Sequence, residues 1–250
     1  MNSLYIIFLL IGILLIIFLV YSLPRKKNIR KPSIEGIDSP EVAAAFEKMT
    51  NILPFRLLRR KVLIELKKYN PNGKLIDLGC GSGNLIVQIA KSFPDLDLKG
   101  IDISVEILDL AKKRAIEYKI IKEIEFKIGS VEDLPLADNS IDFIITTLSL
   151  HHWKNPSQAL EEIFRVLKPK GILLIFDFRR DSRKFFYGLL KFATKVVVPK
   201  ALKKINEPLG SLQAGYTPKE INQIISDSSF KNMDIKPFLA WMFIKLEKAI

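Results

Sequence analysis

The residues of this chain best suited to chemistry lie in one stretch, Lys74-Leu75-Ile76-Asp77-Leu78-Gly79-Cys80-Gly81-Ser82-Gly83-Asn84, where an apolar run enters a glycine-rich turn. A strand, a tight turn and a following helix leave backbone N–H groups free at the helix start, and glycine lets a ligand approach the backbone closely. Dinucleotide loops of the G-x-G-x-x-G type present such amides to a pyrophosphate. The spacing here, Asp77-x-Gly79-x-Gly81-x-Gly83, instead sets a carboxylate beside the loop. That suits a ligand with a cationic amine better than a polyanion, and it argues against a nicotinamide dehydrogenase. A glycine loop alone is moderately specific. Asp102 strengthens it, because a carboxylate ending the next strand accepts hydrogen bonds from ribose hydroxyls.

Other reactive side chains are few. His151 and His152 are the two histidines, they adjoin Trp153, and Cys80 is the single cysteine. This is too little for a dedicated His/Cys metal site, and no metal is assigned. A lone cysteine excludes an intramolecular disulfide framework and fits a reducing compartment. Cys80 reads as a small residue packed under the glycine loop, not as a nucleophile.

Short β-rich runs near 74–78, 98–102, 124–128, 141–146 and 171–177 alternate with helical stretches at 83–92, 104–119 and 156–167. This pattern predicts a doubly wound α/β domain, a parallel sheet with helices on both faces. Residues 41–69 read as helical with a break at Pro54. After a helix at 218–227, with Thr217 as N-cap and Pro218 in its first turn, apolar runs 229–235 and 238–246 meet at Pro237 and suggest an antiparallel pair. Neither internal repeats nor low-complexity tracts are visible.

The formal net charge of +12 is concentrated in two patches: five cations without an acid in residues 1–34, and nine cations with one acid in 179–204. The remaining chain is close to neutral. Two basic patches point to an anionic surface, and both adjoin apolar runs, which makes a membrane the better partner and nucleic acid an unlikely one. Residues 4–23, LYIIFLLIGILLIIFLVYSL, carry no charge and match the thickness of a bilayer core as a helix. A missing basic n-region, the length of the run and the lack of an A-x-A site favour an uncleaved anchor over a signal peptide. The RKKNIRK cluster that follows predicts a single-pass protein with its C-terminal domain on the cytoplasmic side. The expected organisation is a transmembrane helix at 1–23, a basic linker at 24–40 and a catalytic domain at 41–250. In 184–198, Lys184, Lys191 and Lys195 share one face of a helix. It reads either as a helix packed on the domain or as an interfacial element whose lysines touch lipid headgroups.

The runs LIDLGCGSGNL, GIDIS, GSVEDLPLADNSIDFIITTLSLHHW and RVLKPKG together closely resemble the class I S-adenosylmethionine-dependent methyltransferases, in particular the ubiquinone/menaquinone-biosynthesis-like group (methyltransferase type 11). The resemblance spans roughly residues 40–246. It implies a seven-stranded Rossmann-like sheet of order 3-2-1-4-5-7-6, with S-adenosyl-L-methionine across the carboxyl ends of strands 1, 2 and 4. Carried over by position, Asp77, Gly79, Gly81 and Gly83 hold the methionine part, Asp102 binds the ribose, and Ile103 stacks near the adenine. The family's Asp before the fourth strand is Ser130 here, followed by Val131. Ser130 accepts a weaker hydrogen bond, and Glu132 or Asp133 are possible substitutes.

Methyl transfer from a sulfonium is an in-line displacement with an already activated leaving group, so the protein mainly supplies alignment and a dry pocket. A general base is needed only when the acceptor must lose a proton. His151, slightly preferred, and His152 are the candidates. The alternative is that they shape the loop or cover the cofactor together with Trp153. Trp153 and Tyr216 are the candidate substrate-pocket residues, and the Arg165–Gly171 turn reads as structural. The expected activity is methylation of a small-molecule or lipid-like acceptor, amphiphilic or membrane-borne. The competing expectation is a non-catalytic S-adenosylmethionine-binding module of the same fold.

Overall fold

A computed structural model describes residues 3–33, 39–120 and 124–249. Residues 1–2 of the expected anchor, 34–38 of the expected linker, and 121–123 and 250 of the expected domain lie outside the described residues. The chain begins with α1 (Ser3–Ser22), which is apolar on all sides and whose described side chains are mostly exposed. Two helices follow, α2 (Pro40–Thr50) and α3 (Leu53–Lys67). Ser39 caps α2 by accepting from the Val42 amide at 3.3 Å. The break between the two helices falls at Asn51–Ile52 and not at Pro54, which sits in the first turn of α3. A proline is tolerated there because its missing N–H would have no helical partner.

The alternating core then unfolds as β1 (Lys74–Leu78), α4 (Asn84–Ser92), β2 (Asp97–Asp102), α5 (Val105–Glu117), β3 (Ile124–Ile128), β4 (Ile141–Thr147), α6 (Pro156–Val166) and β5 (Leu167–Phe178). It continues with α7 (Lys184–Phe192), α8 (Lys200–Lys204), α9 (Leu209–Ala214), α10 (Pro218–Ser226), β6 (Asn232–Pro237) and β7 (Trp241–Glu247). The seven strands form one sheet in the order β3-β2-β1-β4-β5-β7-β6. All pairings are parallel except those of β7 with β5 and β6. The expected fold and antiparallel tail are both present. Thr217 and Glu220 form a reciprocal capping box on α10 with Pro218 in the first turn, as the sequence predicts.

Alternation along the strands sorts side chains onto two cores. Ile76 of β1 and Ile144 of β4 face a cluster with Leu160 and Ile163 of α6 and Ile221 of α10. Leu75, Phe143 and Ile145 face the opposite cluster with Leu66 of α3 and Ile86 and Ile89 of α4. The expected turn over Arg165–Gly171 lies partly inside the sheet as a bulge in β5: Ile141 pairs with Leu167, and the next pair is Phe143 with Ile172. Arg165 is structural there, donating to the Leu134 and Leu136 carbonyls at 3.1 and 2.9 Å and pairing with Glu162 and Asp138. Because β1 lies between β2 and β4, the chain reverses direction across the sheet at β1. A crevice therefore opens beyond the carboxyl ends of β1 and β4.

Candidate active site

That crevice is a cavity of about 760 Å³, and the glycine loop forms its floor. Gly79 and Cys80 donate their amides to the Ile101 carbonyl at 2.8 and 3.1 Å, which fastens the loop to β2. Gly83 opens α4 with φ +74°, and a Cβ there would stand 3.0 Å from the Ala111 Cβ. Both the left-handed backbone and the close packing against α5 call for glycine. Gly81 (φ +54°) differs: an added Cβ would meet nothing nearer than a Phe46 ring carbon at 3.8 Å, so this glycine leaves open space on the cavity side.

Asp77, next to last in β1, is buried at 1% exposure and lines the cavity, and its Oδ2 has no hydrogen-bond partner. Burial, reinforced by the charge of Asp102, pushes its carboxyl up to about 7. A buried carboxylate with an unused oxygen, beside a floor left open at Gly81, fits a ligand that brings a cationic amine. Asp102 Oδ2 accepts the Gly81 amide at 2.8 Å and Oδ1 the Ser104 amide at 3.1 Å. It therefore ties the loop in place as well as facing the cavity, with burial raising its carboxyl above the usual range against those backbone bonds. Ile103, half exposed, and Ser130 and Val131 line the same end. Of the two suggested substitutes for Ser130, Glu132 uses its Oε1 to accept the Asn155 amide at 2.6 Å, and Asp133 is not among the lining residues. Cys80 is buried, and burial, Asp77 and Asp102 hold its thiol well above its ordinary range, so it stays protonated.

The two histidines keep their rings in contact, with centroids 4.1 Å apart, but take different surroundings. Leu150–His152 is a single 3₁₀ turn, which aims neighbouring side chains differently. His151 is 1% exposed and lies behind the wall, with Nδ1 2.7 Å from Asp177 Oδ1 and its amide donating to Asp177 Oδ2 at 3.0 Å. Burial opposes its charge, but the Asp177 carboxylate outweighs burial and raises its proton affinity. His152 lines the cavity, and burial, then His151 and Arg30, push it down to about 3. The wall residue is thus a neutral imidazole, while the more basic one sits a layer behind. Trp153 also lines the cavity and donates from its indole N–H to Ser149 Oγ at 3.2 Å. Tyr216 does not reach the cavity. It is buried in the core that covers α6 and α10, and the Arg30 guanidinium stacks 4.2 Å from its ring centroid.

Residues that the motifs did not flag complete the lining. Phe46, which faces Gly81, and Met49, Phe55, Leu58, Phe178 and Ile205 make it apolar, and Glu207 adds a buried carboxylate. Burial raises the Glu207 carboxyl, which accepts from the hydroxyls of Ser211 and, at 3.3 Å, of Ser33. No spacing rule points to Glu207, because its neighbours come from the N-terminal segment and from α9. No group of His, Cys, Asp and Glu suited to a metal occurs among the described residues.

The profile of the "Methyltransferase domain" family matches residues 69–230. A ubiquinone/menaquinone biosynthesis C-methyltransferase UbiE from Geotalea daltonii is 30% identical over 161 residues, covering 63% of this chain and 68% of that protein. The protein of the same name from Rickettsia bellii is 28% identical over 216 residues, covering 83% and 85%. Among solved structures, a SAM-dependent methyltransferase from Aquifex aeolicus superposes with a TM-score of 0.62 at 21% identity, over 84% of this chain and 98% of that one. Phosphoethanolamine N-methyltransferase 2 from Haemonchus contortus, in complex with S-adenosyl-L-methionine, superposes with a TM-score of 0.63 at 16% identity, over 85% and 58%. With the family profile covering well over half of the chain, this protein belongs to the methyltransferase domain family and is an S-adenosylmethionine-dependent methyltransferase.

Proposed function

We propose that the enzyme methylates an amphiphilic, membrane-borne small molecule from the cytoplasmic face of the bilayer. The observation that carries this reading is the combination of an apolar cavity lining, from Phe46, Met49, Phe55, Leu58, Phe178 and Ile205, with the apolar helix α1 in the same chain. The Tyr5–Ser22 window of α1 has a mean hydropathy of 2.9 and is long and apolar enough to cross a membrane. The named activity of the relatives, C-methylation in ubiquinone and menaquinone biosynthesis, supports an acceptor with a quinol-like ring on an apolar tail.

When bound, S-adenosylmethionine supplies a methyl group activated by its sulfonium. The protein's part is then to bind, align and exclude water. Asp77 would hold the amine and Asp102 the ribose, with Ile103, Ser130 and Val131 at the adenine end. The apolar wall would keep the acceptor dry, with Trp153 and His152 part of the same lining. His152, held neutral, serves as a hydrogen-bonding wall. For an acceptor that must lose a proton, Glu207 is the better-placed base, since its raised carboxyl and its place on the wall combine proton affinity with access.

The location is tested by cell fractionation with protease protection. An intact N-terminus in the membrane fraction, with the domain shielded from external protease, is expected; a chain cut near residue 23 or a secreted domain would refute it. The α7 region offers a second test. One side of α7 packs inward through Tyr187 and Leu190, while Leu189, Phe192, Val196 and Val197 are exposed beside the exposed Lys184, Lys191 and Lys195. Such a face suits anionic headgroups, at about 1 kcal/mol per lysine near the surface. Replacing the three lysines by glutamine in a chain starting at residue 24 should reduce co-sedimentation with phosphatidylglycerol vesicles more than tenfold. Undiminished binding, or a parent chain that never binds, counts against this face.

A further inference from the structure

The segment read from sequence as a linker does not hang free. Between Pro24 and Ser33 it lies along the domain and is hydrogen-bonded to it at about every second residue. The Pro24 carbonyl accepts the Lys184 amide at 3.0 Å, and the Lys26 amide donates to Ser182 at 3.0 Å. The Asn28 carbonyl accepts from Arg180 Nε at 2.8 Å, and the Lys31 amide donates to Gln213 at 3.2 Å. Arg30 lies at the centre. Its Nε donates to the Ala214 carbonyl at 2.7 Å and its Nη2 to the His151 carbonyl at 3.0 Å, and its guanidinium plane stacks on Tyr216. Ser33 then reaches the cavity and donates to Glu207 Oε1.

We infer that residues 24–33 back the acceptor half of the site, reaching the cavity itself only at Ser33, and that Arg30 is a positioning residue holding the His151–His152 turn in place. The inference rests on reading the apolar end of the cavity as the acceptor half. A planar guanidinium spends two donors on carbonyls from two separate elements and its face on a third side chain, which sets their separation in a way a flexible ammonium cannot. The His151 carbonyl is one of those two, and His152, the next residue, lines the cavity. The helix expected to sit in the bilayer is joined to this strap directly, since α1 ends at Ser22 and Arg183 donates to the Tyr21 and Leu23 carbonyls. Helix α1 and the strap are therefore one continuous stretch of chain, and the strap runs bonded to the domain as far as the histidine turn.

The test uses the full chain in detergent micelles. With only two histidines, the imidazole proton signals of His151 and His152 are assignable by single replacement of either one. Groups facing these rings are Asp177, Glu207, Arg30 and each other. In Arg30→Ala, loss of a nearby cation should let both rings take up protons at higher pH, by about one pH unit, and both signals should shift in position. Arg30→Lys keeps the charge but not the fork or the stacking, so its titrations should stay near wild type while its signals still move. S-adenosylmethionine affinity by calorimetry should change less than twofold in both, because no strap contact touches the glycine loop. Retained affinity also shows that each variant is folded, and the functional reading is tested apart from this one by the fractionation and vesicle experiments above. Histidine signals and titrations identical to wild type in Arg30→Ala overturn the inference. Should Arg30→Ala not fold, unmoved signals in Arg30→Lys overturn it equally.

Discussion

Replacing Asp77 with Asn is expected to weaken S-adenosylmethionine binding about a hundredfold at pH 8 and, at the same pH, to make the ligand-free protein more stable. The affinity loss follows from removing a buried, cavity-lining carboxylate that has an oxygen without a hydrogen-bond partner. A hydrogen bond to a charged group contributes about 1.5–3 kcal/mol, and leaving the ligand's cation unpaired in a buried site adds to that. The stability gain follows from linkage. The Asp77 carboxyl is raised to about 7 by burial and by Asp102, against about 3.9 in an unfolded chain. Between those two values the native state binds more protons than the unfolded one, so the stability of wild type falls as pH rises from about 4 to about 7 and then levels off. Above pH 7 the full penalty is present, of the order of a few kcal/mol, and asparagine removes it. The variant should thus gain about 2 kcal/mol relative to wild type between pH 5 and pH 8 in thermal or denaturant unfolding.

The same group gives binding a pH dependence. A cationic ligand selects the ionised carboxylate, so wild-type affinity should be about tenfold weaker at pH 6 than at pH 8, with a proton released on binding below pH 7. The Asn variant should show neither effect. Calorimetry in buffers of different ionisation enthalpy measures both. Equal affinity of variant and wild type at pH 8 would remove Asp77 from the cofactor site.

Replacing Asp102 with Ala should cost ten- to a hundredfold in S-adenosylmethionine affinity, the equivalent of about 1.5–3 kcal/mol for a charge-assisted hydrogen bond. The structure adds a complication with a use. Because Asp102 also accepts the Gly81 and Ser104 amides, alanine frees two backbone donors and should lower stability by about 1–3 kcal/mol as well. Asp102→Asn separates the two roles. Its amide oxygen can keep one backbone bond, so stability should largely return, while affinity for the ribose stays reduced for want of a second acceptor. Unchanged affinity in Asp102→Ala would sink the ribose assignment. Full recovery of affinity in Asp102→Asn would mean that Asp102 acts only by tethering the loop.

What the chain's sequence determined by itself is what depends on neighbours along the chain. The glycine loop is legible because Gly83 must adopt a positive φ against Ala111, and Asp77 sits two residues upstream of the first glycine. The strand and helix alternation is legible through its periods, and the start of α10 through the Thr217–Glu220 capping box. Tertiary structure decided the rest. His151 and His152 are indistinguishable as letters, yet a 3₁₀ turn aims one at Asp177, which is 26 residues away, and the other at the cavity. Tyr216 reads as a pocket residue until Arg30 is found stacked on it. Glu207 has no motif, since what makes it proton-affine is burial among segments brought together only by folding. The basic stretch after α1 has the composition of a linker, and its charge and proline content are the same whether it is loose or bonded. It is bonded because carbonyls of Ser182, Ala214 and His151 converge on it, and those donor–acceptor pairs, more than 100 residues apart along the chain, exist only once the sheet has closed.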